Sequence, residues 1–121
     1  MKQQIKIGIV GPCTAGKSTL IAGLRMYGYQ ARHITQEHSY VLDMWKKLVN
    51  PGILIYLDVS FKNSIKRKNL LQWTEADYET QVQRLSHARA NANIYINTNE
   101  LSIQEVLARV IKIIKEQYCM P

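Results

Sequence analysis

The sequence has few cysteines and no long hydrophobic run. Two of its 121 residues are cysteines, Cys13 and Cys119, too few for the disulfide framework of a small secreted domain. No apolar run approaches the ~20 residues that a transmembrane helix needs. Residues 1–4 lead directly into an apolar strand pattern, so we expect no signal peptide. These features predict a cytoplasmic protein with no membrane association.

Acidic residues are also scarce, with 9 Asp and Glu against 16 Lys and Arg, a net charge of +7. This excess suits an anionic partner, either a nucleotide or a nucleic acid. No His/Cys cluster has metal-ligand spacing along the chain, so we expect neither zinc nor a redox metal. Repeats, low-complexity tracts and linkers are absent, and residues 1–121 are predicted to form a single nucleotide-binding domain.

What the sequence does contain is a phosphate-binding pattern near its start. Residues 11–19 read Gly-Pro-Cys-Thr-Ala-Gly-Lys-Ser-Thr and match G-x-x-x-x-G-K-[ST], the Walker A or P-loop pattern. The glycines let backbone amides turn toward phosphate oxygens, Lys17 can reach the β- and γ-phosphates, and the Ser18 hydroxyl can ligate Mg²⁺. The candidate nucleotide-binding residues of the loop are Gly11, Pro12, Cys13, Thr14, Ala15, Gly16, Lys17, Ser18 and Thr19.

The loop follows a predicted strand and precedes a helix predicted over residues 18–26, the context that the pattern requires. Further strands are predicted over residues 29–36, 53–57 and 94–96, and helices over 40–49, 74–91, a basic segment after Ser60 and a segment after Ser102. This alternation predicts an α/β fold. Its parallel sheet of about four strands has helices on both faces and the order 2-3-1-4.

Polar residues follow the ends of the predicted strands. Because parallel strands place their carboxyl ends at one edge of the sheet, the loop, Glu37, Asp58 and residues 97–100 should line one crevice. Asp58 ends an apolar strand expected beside the first, where it could hold Mg²⁺ or merely cap the following turn. Glu37 is the candidate general base. It could instead hydrogen-bond substrate or be solvated.

Basic residues on the later segments are candidates for offsetting phosphate charge. The set consists of Arg67, Lys68, Arg84 and Arg89. Each alone fits a solvated surface residue, but we expect at least one of them to reach the phosphates.

Taken together, these residues resemble the P-loop kinases, especially the nucleoside, nucleotide and small-metabolite kinases built like adenylate kinase. The resemblance implies a three-layer P-loop NTPase fold, phosphate contacts from Arg84 and Arg89, and a nucleotide base bordered by Asn97 and Thr98. Glu37, with Trp45 eight residues on, is similar to the Glu and Trp near the acceptor site of deoxynucleoside kinases. The chain is short for the family and has too few residues between its second and third strands for a separate acceptor domain.

The resemblance implies an ATP-dependent kinase with ATP and Mg²⁺ as cofactors and a nucleoside, nucleotide or sugar as acceptor. The main alternative is a nucleotide-binding or NTPase module that signals to a protein partner. Nucleic-acid binding ranks third because no nucleic-acid motif appears. Residues 97–100, Asn-Thr-Asn-Glu, depart from the Asn-Lys-x-Asp pattern of GTPases, so guanine specificity is not indicated.

Overall fold

A computed structural model describes residues 5–67 and 73–118, and it shows a four-stranded parallel sheet with helices packed on both faces. The strands are β1 (Lys6–Val10), β2 (Gln30–His33), β3 (Ile53–Asp58) and β4 (Ile94–Asn97). The helices are α1 (Lys17–Met26), α2 (Met44–Leu48), α3 (Phe61–Arg67), α4 (Glu75–Arg84), α5 (Ser86–Asn91) and α6 (Ile103–Tyr118), and a 3₁₀ turn spans Gln36–His38. The predicted fold class is confirmed.

The strand order is β2-β1-β3-β4, so the predicted order 2-3-1-4 is wrong. The expected contact between the first and third strands exists, with Ile9 paired to Ile55. However, β2 pairs with β1 and β4 pairs with β3. Only residues 27–29 connect α1 to β2, and such a short connection favours a neighbouring strand. β2 also buries a single side chain, Ala31, which suits a strand at the edge of the sheet.

β3 lies inside the sheet, and its apolar run is buried on both faces, as the sequence predicts. Ile53, Ile55 and Leu57 belong to the core under α1 and α6, whereas Leu54 and Tyr56 belong to the core on the opposite face. α1 and α6 bury Leu20, Ile21, Leu24, Val106, Val110, Ile111 and Ile114. The opposite core includes Trp45, Leu85 and Ala88.

The helix predicted over residues 40–49 is reduced to α2, Met44–Leu48. Side chains form hydrogen bonds with backbone N–H and carbonyl groups of residues 41–45 that would bond to one another in a longer helix. The buried amide of Gln36 donates to the Val41 carbonyl at 2.8 Å and accepts from the Trp45 N–H at 2.7 Å. The Val41 N–H donates to the Ser39 hydroxyl at 3.1 Å. These bonds compete with helix formation and leave Tyr40 exposed.

The helix predicted over residues 74–91 divides at Leu85 into α4 and α5. Its predicted start is confirmed as a capping box. The Thr74 hydroxyl accepts from the Asp77 N–H at 3.1 Å, and the Asp77 carboxylate accepts from the Thr74 N–H at 3.2 Å. The Leu85 side chain, at the division, is fully buried.

Thr74→Ala is expected to lower the free energy of unfolding by about 1 kcal/mol, because one N-terminal amide of α4 loses its acceptor. Urea titration would measure the loss. Thr80→Ala is the matched control. Its exposed hydroxyl bonds back to the Ala76 carbonyl within the same helix, so its removal should be close to neutral. Equal losses in the two variants would contradict the capping role.

Within residues 5–67 and 73–118, no helix is both long enough and apolar enough to cross a membrane.

Candidate functional site

The phosphate-loop sequence forms the connection between β1 and α1. Gly11 lies against β3, where a Cβ would come within 2.1 Å of the Leu57 carbonyl oxygen. Gly16 caps α1 with φ of +97°, a left-handed conformation that favours glycine, and as a glycine it has no side chain with which to cap the helix. The first amides of α1 are therefore available to an anion. The Thr14 hydroxyl is buried and has no hydrogen-bond partner among the described residues.

Lys17, the first residue of α1, directs its side chain back into the loop and is 7% exposed. Its ammonium donates to the Gly11 carbonyl and, at 3.0 Å, to the Pro12 carbonyl. The same nitrogen lies 3.0 Å from Glu37 Oε2. The lysine thus joins the phosphate loop to a buried carboxylate that follows β2.

Glu37 lies in the 3₁₀ turn and is 2% exposed. His33 Nε2 and His38 Nε2 lie 3.8 and 3.9 Å from its Oε2 atom. Burial first, and then the charge of Lys17, lower the pKa of His33. Glu37 Oε1 is buried and has no hydrogen-bond partner among the residues described. The structure therefore brings Glu37 to the loop, as the strand-end argument predicts, and its chemical role remains a prediction.

Arg67, at the end of α3, connects the phosphate loop to the segment after β4. Its guanidinium donates to the Thr14 carbonyl at 3.1 Å, to the Thr98 hydroxyl at 2.8 Å and to the Thr98 carbonyl. Partial burial lowers the pKa of Arg67, whose ordinary value is high enough that the group stays charged. Of the predicted basic residues, Arg67 reaches the loop, and Lys68 lies outside the described residues.

A cavity of about 770 Å³ opens beside the loop, within the size range of small-molecule sites. It lies between the start of α1 and the start of α6. Its lining residues are Thr14, Ala15, Gly16, Lys17, Ser18, Thr19, Leu20, Arg67, Thr98, Leu101, Ser102, Ile103, Gln104 and Val106. Of the two residues expected near a base, Thr98 lines this cavity. Asn97 instead borders a separate surface pocket with Lys62, Lys66 and Arg109.

Asp58 and Arg89 belong to a different cluster. The Asp58 carboxylate accepts from the Val59 N–H at 2.9 Å and from the Tyr95 hydroxyl. Burial and the bond to Asp58 raise the pKa of Tyr95, which favours its proton-donating form. The Arg89 guanidinium lies 5.2 Å from the Tyr95 ring centroid. Among the residues described, neither Asp58 nor Arg89 lines the 770 Å³ cavity.

Arg84 also lies away from this cavity. Its guanidinium covers the Tyr40 ring at 4.5 Å and lies 3.4 Å from the Glu37 carbonyl oxygen. Trp45 is buried, and its indole N–H donates to His87 Nδ1 at 3.0 Å. The Trp45 ring therefore packs in the core and does not offer an open stacking face near Glu37.

Sequence reasoning missed two contacts of the loop. Gln81 in α4 forms two hydrogen bonds with Cys13, and the Cys13, Glu37 and His38 side chains converge. These residues are far apart along the chain, so no local spacing could reveal either contact.

The sheet and the helices on both of its faces define a three-layer α/β fold, with the loop of residues 11–16 between β1 and α1. Among solved structures, the YorR protein from Bacillus subtilis, in complex with phosphorylated GDP, has the same fold with a TM-score of 0.67. The match covers 96% of this chain and 99% of YorR at 14% sequence identity, a level at which similarity shows the fold alone. No protein-family model matches the sequence, and no curated protein matches it.

Proposed function

We propose that the chain is a small kinase that binds ATP with Mg²⁺ and transfers the γ-phosphoryl group to a nucleoside, nucleotide or sugar. One observation supports this most directly. The Lys17 ammonium lies between the carbonyls of the phosphate loop and the buried Glu37 carboxylate. A group that would hold the phosphates and a group that would accept a proton therefore lie side by side.

In the proposed complex, the loop amides and Lys17 would bind the β- and γ-phosphates. The Thr14 hydroxyl, which has no partner within residues 5–67 and 73–118, would donate a hydrogen bond to a phosphate oxygen. Arg67 would offset negative charge that shifts between the phosphates during transfer. The base and ribose would occupy the cavity between Thr98 and the start of α6.

Ser18 fits a magnesium ligand, because its side chain is exposed and lines the cavity next to Lys17. Asp58 fits this role less directly, since its two carboxylate oxygens already accept from Val59 and Tyr95. Mg²⁺, when bound, would supply positive charge to the phosphates. Asp58 would contribute only after release of the Tyr95 hydroxyl.

Glu37 would act on the acceptor. As the acceptor oxygen bonds to the γ-phosphorus, the bond from that phosphorus to the bridging oxygen breaks, and ADP leaves with the electron pair. The acceptor hydroxyl loses its proton to the Glu37 carboxylate. Arg84, beside the Glu37 backbone, would bind an anionic part of the acceptor.

The alternative is a nucleotide-binding module that hydrolyses nucleotide slowly and has no small-molecule acceptor. The short segment between β2 and β3 favours this alternative. Residues 34–52 contain a 3₁₀ turn and the five-residue α2, which leaves no separate domain for an acceptor.

A panel of acceptors separates the two functions. ADP or GDP release would be followed with MgATP or MgGTP while nucleosides, nucleotides and sugars are added in turn; GTP is included because YorR was solved with phosphorylated GDP. A kinase should release the diphosphate faster with one class of acceptor. Nucleotide binding with a rate that no acceptor changes would support the module. Absence of binding to either nucleotide would overturn both.

Arg67→Ala is expected to lower acceptor-dependent release by about a hundredfold, because a cation beside the loop is lost. Steady-state kinetics would measure this change. Arg32→Ala is the matched control, since Arg32 is an exposed residue of the edge strand outside the cavity lining. A similar loss in both variants would remove the argument for Arg67.

A further inference from the structure

Three potential metal ligands converge on the side of the loop that faces β2. They are the Cys13 sulfur, a Glu37 carboxylate oxygen and a His38 ring nitrogen, and all lie within 4.8 Å of one another. Cys13 follows β1, whereas Glu37 and His38 follow β2. Pairing of these two strands therefore brings the three side chains together. Cys13 and His38 do not line the 770 Å³ cavity, and of the three residues the proposed kinase function uses only Glu37.

Glu37 has unused ligand capacity. Lys17 contacts its Oε2 atom, and Oε1 is buried with no hydrogen-bond partner among the described residues. Glu37 is 2% exposed, so its Oε1 atom has lost its hydrogen bonds to water on folding and accepts none from the described residues in exchange. This loss lowers the stability of the folded state. A cation bound at Oε1 would remove that cost.

Cys13 is held in position by Gln81, which is 5% exposed. The Gln81 amide donates to the Cys13 sulfur at 3.1 Å, and its oxygen accepts from the Cys13 N–H at 3.0 Å. A partly buried hydrogen bond to a ligand atom is the kind of outer-shell contact that orients ligands in metal sites.

We propose that Cys13, Glu37 and His38 form a binding site for a thiolate-preferring divalent cation such as Zn²⁺, beside the phosphate loop and separate from the Mg²⁺ expected at Ser18. A sulfur, an imidazole and a carboxylate match the ligands of zinc sites that have three protein ligands and a water molecule. Mg²⁺ requires oxygen ligands and would not select this set.

Lys17 competes with the proposed metal. Its ammonium lies 3.0 Å from Glu37 Oε2, so it repels a cation bound to the same carboxylate. It also neutralises part of the negative charge of Glu37 that would attract the metal. Metal affinity should therefore rise when the lysine is removed.

The first test is Co²⁺ titration of the nucleotide-free protein in a Cys119→Ser background, because Cys119 lies outside the described residues. One equivalent of Co²⁺ should produce a thiolate-to-metal charge-transfer band and visible d–d bands, which Zn²⁺ should abolish. Cys13→Ser should remove the charge-transfer band, and His38→Ala should weaken binding about tenfold or more. His87→Ala is the control for adventitious histidine binding and should leave the spectrum unchanged.

A missing thiolate band, or equal weakening by the His38 and His87 substitutions, would overturn the proposal. The assay contains no nucleotide, so such a failure would leave the proposed kinase function standing.

The second test uses Lys17→Met. We expect Co²⁺ to bind this variant at least about tenfold more tightly, because the competing charge is gone. Zn²⁺ should also raise its melting temperature more than that of the unaltered protein. General damage to the fold would weaken binding instead. Unchanged binding, or weaker binding by a variant whose circular dichroism spectrum matches that of the unaltered protein, would therefore contradict a role for Glu37 as a ligand.

Discussion

Lys17→Met is expected to lower nucleotide turnover about a thousandfold and the free energy of unfolding by about 3 kcal/mol. The two effects have different causes. Turnover falls because the proposed phosphate-binding ammonium is lost. Stability falls because Lys17 and Glu37 are both buried and 3.0 Å apart, so the substitution leaves a buried carboxylate without its main partner.

A second substitution separates these causes. Lys17→Met combined with Glu37→Gln removes both charges and should recover most of the lost stability, because no unpaired charge stays buried. It should recover no turnover. Urea unfolding of the single and the double variant at the same pH would measure the recovered stability.

Two results would contradict this account. If the double variant were less stable than Lys17→Met alone, the pair would not be coupled as its geometry indicates. If Lys17→Met retained full turnover, the loop lysine would have no part in phosphate chemistry.

Gly11→Ala is expected to lower the free energy of unfolding by about 3 kcal/mol. The new Cβ would lie 2.1 Å from the Leu57 carbonyl oxygen, and that atom is backbone in an interior strand, so it cannot rotate away. The loop must then move off β3. A displacement of even ~1 Å would lower turnover about a hundredfold.

Gly16→Ala is the matched control within the same loop. A Cβ there meets no atom of the described residues within 4 Å, so the cost is the strain of a left-handed conformation, about 1 kcal/mol. Thermal melts and urea titrations of both variants would measure the difference. Equal destabilisation would show that conformation, and not the contact with Leu57, makes Gly11 necessary.

Local sequence was sufficient to predict an element where all the residues that determine it lie in one segment of the chain. The loop pattern between an apolar strand and a helix predicted the β1–loop–α1 unit, and the continuous apolar run predicted β3. The Thr74 and Asp77 capping box was likewise predicted, because its hydrogen bonds span only three residues. Such features depend on backbone propensity and nearby side chains, which the sequence states directly.

Strand order was not determined in this way. Alternating strands and helices are compatible with several parallel orders. No local pattern in the sequence specifies the position of β2 in the sheet. The choice depends on how α1 packs against the sheet and on the short connection of residues 27–29. The wrong order still placed Glu37 and the loop at the same edge, because all parallel strands end there.

The sequence by itself determined the α/β class, the loop between β1 and α1 and the residues that follow the strand ends, since these depend on local patterns and on the common direction of parallel strands. Only the tertiary structure decided which polar groups meet. It paired Lys17 with Glu37, placed Arg67 against Thr14 and Thr98, and directed Asp58 to Tyr95. These contacts join segments that are distant in the sequence. They depend on burial and on strand pairing, which no single segment encodes.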